Sequence, residues 1–337
     1  VKEKYMPPRY AILTPVLDDW PSLCRLITEI QEKYSSEDVL FEIVAVDDGS
    51  PDPLDVTTLP NVPETSCIVR ISVIQVALNL GHQRAIAVGL STLWDHPTFD
   101  GVIVMDSDGE DRPADIGLLI GRAREHADHV ITARRSKRSE STMFKLGYLA
   151  YRTLFRVLTG RSISYGNFCL LPRRAVSRLV HMPELWNNLP AAIMRSRLRS
   201  RSVATERGHR YFGQSKMNTP SLVVHGLSAM SVYTDVIFVR VLLAASLVGA
   251  LSVLAIVAVA IIRVATELAI PGWATTVVGD LLIILSQALI LMVATTLMLL
   301  ANRSTRQLVP VTDTAAFIAD RRTVMCHTPV VVSSPVS

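Results

Sequence analysis

Two stretches near the C-terminal end, Val241 to Ile262 and Leu281 to Ala301, each run for about 21 residues almost without charge. As helices rising ~1.5 Å per residue they would reach about 31 Å, the thickness of a bilayer's hydrocarbon layer. Core helices of soluble domains rarely run this long without a charged face, so the pair predicts a transmembrane hairpin over 241–301, with spans 241–262 and 281–301. The connection contains Pro271, Gly272 and Trp273, which break a helix and set an indole near a headgroup layer. Arg240 precedes the hairpin and Arg303 and Arg306 follow it, while Arg263 between the spans is offset by Glu267 and Asp280. Both flanks are therefore expected in the cytoplasm. Val1 to Tyr10 is polar and holds Pro7 and Pro8, with no apolar core of a cleavable signal. The expectation is an integral protein of the cytoplasmic (inner) membrane whose first domain stays in the cytoplasm.

Outside the hairpin the chain reads in three parts: a globular domain over 1–217, a juxtamembrane amphipathic helix over 218–240, and a poorly ordered tail over 302–337. The amphipathic stripe is Val223, Leu227, Met230, Tyr233 and Ile237. A formal charge of +4 argues against a general nucleic-acid binder, and Cys24, Cys67, Cys169 and Cys326 form no Cys-x-x-Cys pair that would suggest a zinc knuckle.

Across the globular domain, short β-type runs alternate with amphipathic helical patterns, which predicts an α/β fold with a mainly parallel sheet. Strands are read at Tyr10 to Thr14, Phe41 to Val46, Ile68 to Val76, Gly101 to Met105 and His129 to Ala133. In such sheets ligands sit beyond the carboxyl ends of the strands, and the residues there are acidic. Asp18 and Asp19 follow the first run, Asp47 and Asp48 the second, and Asp106, Asp108, Glu110 and Asp111 the fourth. Gathering so many carboxylates is costly unless a cation or hydrogen-bond donors compensate them, and Mg²⁺ or Mn²⁺ with oxygen ligands is the economical choice. An EF-hand fails, because counting from Asp106 its Gly and Glu positions hold Asp111 and Gly117. A haloacid-dehalogenase-type phosphatase motif is a poor match at Glu110. A dinucleotide fold would need glycines between Pro15 and Trp20, where there are none.

The ordered motifs TPVLDD (Thr14 to Asp19), VDDGSPD (Val46 to Asp52), LNLGHQRAIAVGL (Leu78 to Leu90), VIVMDSDGEDRP (Val102 to Pro113), ARRSKRSES (Ala133 to Ser141), NFCLLPRRAV (Asn167 to Val176) and RYFGQSK (Arg210 to Lys216) resemble glycosyltransferase family 2. Within it they resemble the polyprenyl-phosphate glycosyltransferases, the branch of dolichyl-phosphate mannose synthases and bactoprenol glucosyltransferases. The resemblance implies a GT-A-type nucleotide-sugar-binding domain and several roles. Asp106 and Asp108 match the family's Asp-x-Asp, which meets metal and diphosphate, and Glu110 joins them as a metal-ligand candidate. Pro15, Asp19, Asp47, Asp48, Gly81 and Gln83 match nucleotide-sugar positions. Arg135, Arg210, Ser215 and Lys216 match groups near the diphosphate and acceptor, and Arg135 or Arg138 is the candidate to take up negative charge as the glycosidic bond breaks. Leu17, Asp19, Glu110, Asn167 and Cys169 depart from common family residues, so base and sugar preference are not carried over. Relatives that form tetramers imply a homotetramer.

The chemistry implied is inverting, metal-dependent transfer of one sugar from a nucleotide donor to a polyprenyl phosphate at the cytoplasmic membrane face. A lipid phosphate is already anionic and needs no base, whereas a hydroxyl acceptor would need one, with Glu110 and Asp111 the candidates. An Asp111→Asn change separates these cases on sequence grounds. The alternatives are a family 2 enzyme acting on a lipid or glycan hydroxyl, and a membrane-tethered protein that binds nucleotide sugar without turnover. No Gln-x-x-Arg-Trp signature of processive synthases is found. Phe144, Tyr148, Tyr151, Phe155 and Leu158 form a stripe that either packs in a core or shelters an isoprenoid chain.

Overall fold

The computed structural model describes residues 7–95, 99–135, 142–162, 165–213, 219–266 and 272–327. In chain order these form β1 (Arg9–Val16), α1 (Trp20–Tyr34), β2 (Leu40–Asp47), β3 (Ile68–Val76), α2 (His82–Trp94), β4 (Gly101–Val104), α3 (Ile116–Glu125), β5 (Val130–Arg135) and α4 (Thr142–Thr159). There follow β6 (Cys169–Pro172), α5 (Arg173–Val180), α6 (Leu189–Arg195), β7 (Ser200–Thr205), α7 (Thr219–Ser231), α8 (Thr234–Ala265), α9 (Trp273–Ser304), α10 (Pro310–Asp313) and β8 (Ile318–Cys326). The chain divides into two units: one holds the sheet, and the other holds α8, α9 and the C-terminal half of α4.

The sheet runs in the order β7-β5-β6-β4-β1-β2-β3-β8. β4, β1, β2 and β3 are mutually parallel, β5 is parallel to β7, and only β6 and β8 run against their neighbours. β1 shows why the interior strands read as unbroken apolar runs. Its Tyr10 and Ile12 face one helical layer with Leu23, Ile27 and Leu119, while Ala11 and Leu13 face the other with Ile86, Leu90 and Val176. Both faces are covered, so apolar side chains occupy successive positions from Tyr10 to Leu13 and do not alternate with polar ones. α1 carries Leu23, Leu26, Ile27 and Ile30 on its buried stripe and starts with Pro21, whose missing N–H costs nothing in a first turn.

The tail differs from its sequence reading. Instead of lacking structure, its described part forms α10 and β8, and β8 pairs antiparallel with β3 from Val76↔Ile318 to Arg70↔Cys326. Ala77 N–H donates to the Phe317 carbonyl at 2.8 Å, and the Phe317 ring lies 5.2 Å from that of Trp186. Nothing in the local pattern announces this strand, because Asp320, Arg321 and Arg322 interrupt the alternation. What stabilises it is the open edge of β3, more than 240 residues earlier, and edge pairing of that kind leaves little local signal.

The second unit contains two helices of 32 residues each, long and apolar enough to cross a membrane. Each extends past its apolar run, so Arg263 and Asp280 lie within α8 and α9 and not in the connection. Gly272 turns the chain into α9 at φ +89°, a backbone angle that favours glycine. Gly249 meets Leu285 and Ala288 across the pair. The hydroxyls of Thr295 and Thr296 return to Leu291 and Met292 of their own helix and do not bridge between helices. The stretch 218–240 is two helices, since α7 ends at Ser231 and α8 starts at Thr234. Met230 and Tyr233 are buried there while Leu227 is exposed.

Candidate active site

The carboxyl ends of β1, β2 and β4 meet at one rim of the sheet, and their turns are tied together by side chains from the sequence motifs. Pro15 is buried in the last residues of β1. Asp47 accepts from Ser50 N–H at 2.9 Å, and the Ser50 hydroxyl accepts from Asp18 N–H at 2.8 Å. Asp48 accepts from Leu80 N–H at 2.8 Å and Gly81 N–H at 2.9 Å, so both its oxygens hold the loop that starts α2. Gly49 between these turns has φ +77°, and a Cβ there would sit 2.8 Å from the Asn79 backbone nitrogen. The motif VDDGS therefore shapes the floor of the site. Asp48→Ala removes both acceptors, and hydrogen bonds to charged groups contribute about 1.5–3 kcal/mol each, partly offset by relief of a buried carboxylate. We expect a loss of about 2 kcal/mol in urea unfolding, read as a lower midpoint at unchanged slope.

The loop after β4 is folded by its own carboxylates. Asp106 N–H donates to Asp111 at 3.1 Å, and Glu110 N–H donates to Asp108 at 3.0 Å. The segment 206–212 lies across it: Gly208 N–H donates to the Glu110 carbonyl at 2.9 Å and Tyr211 N–H to the Asp108 carbonyl at 2.8 Å. Tyr211 also donates its hydroxyl proton to Glu29 on α1 at 2.7 Å.

Three guanidinium groups meet the carboxylates. Arg135, at the end of β5, reaches Asp111 at 3.1 Å and Glu110 at 3.4 Å. Arg207 reaches Glu110 at 2.7 Å, and Arg210 reaches Asp108 at 3.0 Å and Asp19 at 3.5 Å. Five carboxylates thus face three guanidiniums, and two of the five, Asp106 and Asp111, hold their protons more tightly than a free carboxyl. Asp106 is pushed up to about 7, by burial first and by Asp108 second. Asp111 is also raised to about 7, by burial and by Asp106. Burial acts on Glu110 in the same sense, but Arg207 and then Arg135 outweigh it and hold its carboxyl below the usual range.

Asp106 Oδ1 is shielded from solvent and has no hydrogen-bond partner, although His82 Nε2 lies 3.3 Å away. An orphaned carboxylate oxygen at an excess of negative charge fits a hard divalent cation. Of the three ligand candidates read from the sequence, Asp106 presents this free oxygen and Asp108 lies beside it, paired with Arg210. Glu110 is engaged by two arginines, and among the described residues no three His, Cys, Asp or Glu side chains form a ready-made ligand group. Gly81 caps the N-terminus of α2 at φ +91°, and Gln83 bonds Asn167 and the Leu189 backbone. Arg138, Ser215 and Lys216 lie outside the described residues.

Sequence reasoning assigned no role to Arg207, His82 or Tyr211. Arg207 stands three residues before Arg210 in a segment read only for its later residues, and His82 sits inside a motif quoted for its glycine and glutamine. The proposed Asp111→Asn comparison also changes meaning. Asp111 accepts from both Arg135 and Asp106 N–H, so asparagine would turn an acceptor into a donor facing one of them.

Comparison with known proteins places these features in a family. An uncharacterized glycosyltransferase of Synechocystis sp., sll0501, is 26% identical over 211 residues, which span 62% of this chain and 64% of that protein, just under two thirds of its length. The uncharacterized glycosyltransferase YkcC of Bacillus subtilis is 24% identical over 280 residues, 81% of this chain and 83% of that one. Among solved structures, glucosyl-3-phosphoglycerate synthase from Mycobacterium tuberculosis, crystallised with Mn²⁺, UDP-glucose and phosphoglyceric acid, is 14% identical with a TM-score of 0.46, over 68% of this chain and 80% of that one. Mannosyl-3-phosphoglycerate synthase from Rubrobacter xylanophilus is 13% identical, also with a TM-score of 0.46, over 67% and 72%. The family model described as Glycosyl transferase family 2 matches residues 11–180, just over half of the chain and the whole run from β1 to α5. On that match the chain belongs to glycosyl transferase family 2, and its sheet unit is a GT-A-type α/β domain.

Proposed function

We propose that this chain transfers a sugar, with inversion, from a nucleotide-sugar donor to a polyprenyl phosphate at the cytoplasmic face of a membrane. The observation that carries the reading is the free Asp106 oxygen within an arginine-compensated carboxylate cluster, in a chain that also holds two helices long and apolar enough to span a bilayer. A divalent cation, Mg²⁺ or Mn²⁺, supplies Lewis-acid stabilisation of the leaving diphosphate when bound, and Asp106 and Asp108 would hold it.

The chain's own groups do the rest. Asp47 and Asp48 fix the turns on which Pro15, Asp19 and Gly81 meet the nucleotide sugar, while the Gln83 amide is engaged by the Leu189 N–H and Asn167. Arg210, set between Asp19 and Asp108, and Arg135, beside Glu110 and Asp111, carry fixed positive charge to where negative charge develops on the diphosphate. Asp111 titrates in the range of a general base, yet its oxygens are held by Arg135 and by Asp106 N–H. That favours an acceptor needing no base, an anionic phosphate, over a hydroxyl. Membrane anchoring confines the chain to the layer where a polyprenyl phosphate lies and raises the effective acceptor concentration.

The test incubates membranes carrying the full chain with labelled nucleotide sugars, with and without undecaprenyl phosphate, in Mn²⁺ or in EDTA. Label is expected in a lipid that mild acid releases, only with the lipid phosphate and only with metal. Label in an acid-stable glycolipid would move the reading to a hydroxyl acceptor, and binding without transfer would refute an enzyme.

A further inference from the structure

A chain of hydrogen bonds runs beside the carboxylate cluster, and its direction can be followed from an unambiguous donor. The Leu189 backbone N–H at the start of α6 donates to Gln83 Oε1 at 2.8 Å. A backbone N–H cannot accept, so this contact fixes which end of the Gln83 amide is oxygen. Its other end, Nε2, then donates to Asn167 Oδ1 at 2.9 Å. That contact in turn orients the Asn167 amide, whose Nδ2 lies 2.9 Å from His82 Nε2. Because an amide nitrogen can only donate, His82 Nε2 receives this bond through its lone pair, and the ring proton resides on Nδ1.

The consequence falls on Asp106. Its Oδ1 lies 3.3 Å from the same His82 Nε2, yet it has no hydrogen-bond partner. With the opposite tautomer, an Nε2–H would set a proton's positive charge beside that oxygen, although the pair lacks the alignment of a hydrogen bond. We propose that Gln83 and Asn167 are positioning residues that hold His82 as its Nδ1–H tautomer, so that His82 turns a lone pair and not a proton toward Asp106 Oδ1 and leaves the charge on that oxygen for a ligand. Their action is on His82, and through it on Asp106. The proposal rests on the reading of Asp106 as a cation-binding carboxylate for its consequence, although the relay itself is independent of any metal. It also gives Asn167 a specific requirement. An amide can accept from Gln83 and donate to His82 at once, whereas an acidic residue there would accept from both.

Two isosteric substitutions reverse the direction at different links. Gln83→Glu still accepts from Leu189 but can no longer donate, so Asn167 turns its amide nitrogen toward the introduced carboxylate and its oxygen toward His82. Asn167→Asp keeps the bond from Gln83 and presents an acceptor to His82. Either change should move the ring proton from Nδ1 to Nε2. The experiment is ¹⁵N NMR of the full chain with ¹⁵N-labelled histidine, the His82 signals being assigned by their loss in His82→Gln, at a pH where the ring is neutral. A parallel titration with Mn²⁺ alone measures cation affinity by calorimetry. Expected are an Nδ1–H signature in the parent chain, an Nε2–H signature in both variants, and weaker Mn²⁺ binding in Gln83→Glu by about 10-fold or more, the size typical of lost outer-shell support. Using two variants keeps the test decisive if one fails to fold. An Nε2–H signature in the parent chain, or an unchanged tautomer in a folded variant, would overturn the relay. A switched tautomer with unchanged Mn²⁺ affinity would overturn its role toward Asp106. A parent chain that binds no Mn²⁺ while showing the Nδ1–H signature refutes the cation reading of Asp106 and the role built on it, but not the hydrogen-bond relay.

Discussion

Asp106→Asn is expected to reduce kcat/KM for sugar transfer by about 10²–10³-fold, the loss seen when one preorganised electrostatic group is removed from a transition state. Asparagine has nearly the same shape, and the backbone N–H that Asp106 donates to Asp111 is untouched, so the loop should keep its fold. What disappears is the charge on the carboxylate of this cluster whose oxygen is shielded and unpartnered. Stability should move the other way. The Asp106 carboxyl is raised from 3.8 to about 7, so the folded state binds its proton more tightly than the unfolded chain does. That contribution is complete below about pH 4 and is lost as pH rises through 7. At pH 8 the metal-free parent therefore carries the full cost of a buried charge, which asparagine removes. Thermal unfolding in EDTA should show the variant melting a few degrees above the parent at pH 8 and close to it at pH 4. Transfer within about threefold of the parent would refute the assigned role, well short of the loss expected for such a group. A lower melting temperature at pH 8 would show that the charged carboxylate is stabilised there.

The parts of this molecule that were legible in the sequence are those whose pattern is local. β1 to β4 show buried apolar runs, three of them ending in acidic turns, and observed boundaries fall within two residues of those read, as with Ile68–Val76. The two apolar runs gave the long helices, although helical geometry continues beyond the apolar stretch and the sequence cannot mark where the hydrogen-bond ladder stops. β8 was invisible because its stability derives from the open edge of a distant strand. The site was half legible for a similar reason. Aspartates after strands announce themselves, but which arginine answers which carboxylate depends on a segment a hundred residues later. Arg207 and Arg210 reach Glu110 and Asp108 across |i−j| of 97 and 102, and no spacing rule connects them. Asp48 shows the converse. Its motif suggested a ligand contact, and the structure spends both its oxygens on backbone N–H groups.

Gly208→Ala tests that distant segment without touching a charged group, and we expect it to lower kcat/KM about 100-fold, the effect of misplacing catalytic groups by about 1 Å. A Cβ on Gly208 would lie 2.0 Å from the Gly109 carbonyl oxygen and 2.9 Å from Arg112 Cγ. Arg112 could yield, being the flexible side chain of the two, but the Gly109 carbonyl belongs to a backbone already fixed at φ +88° and covered by the Tyr211 ring. The segment 206–212 must therefore lift, and with it go the bonds from Gly208 and Tyr211 N–H to the loop after β4 and the guanidiniums of Arg207 and Arg210. Glu110 and Asp108 would lose their main compensation together, so the site should be impaired more than by Arg207→Met or Arg210→Met alone. The hydrophobic layers on both faces of the sheet are not involved, and the melting temperature should fall far less than the activity does. Limited trypsin digestion reads the displacement directly, because a lifted segment exposes the bonds after Arg207 and Arg210 to cleavage. Parent-like activity together with parent-like resistance to trypsin would mean that the segment accommodates a methyl group in place, and that its contacts do not set the arginines on the carboxylates.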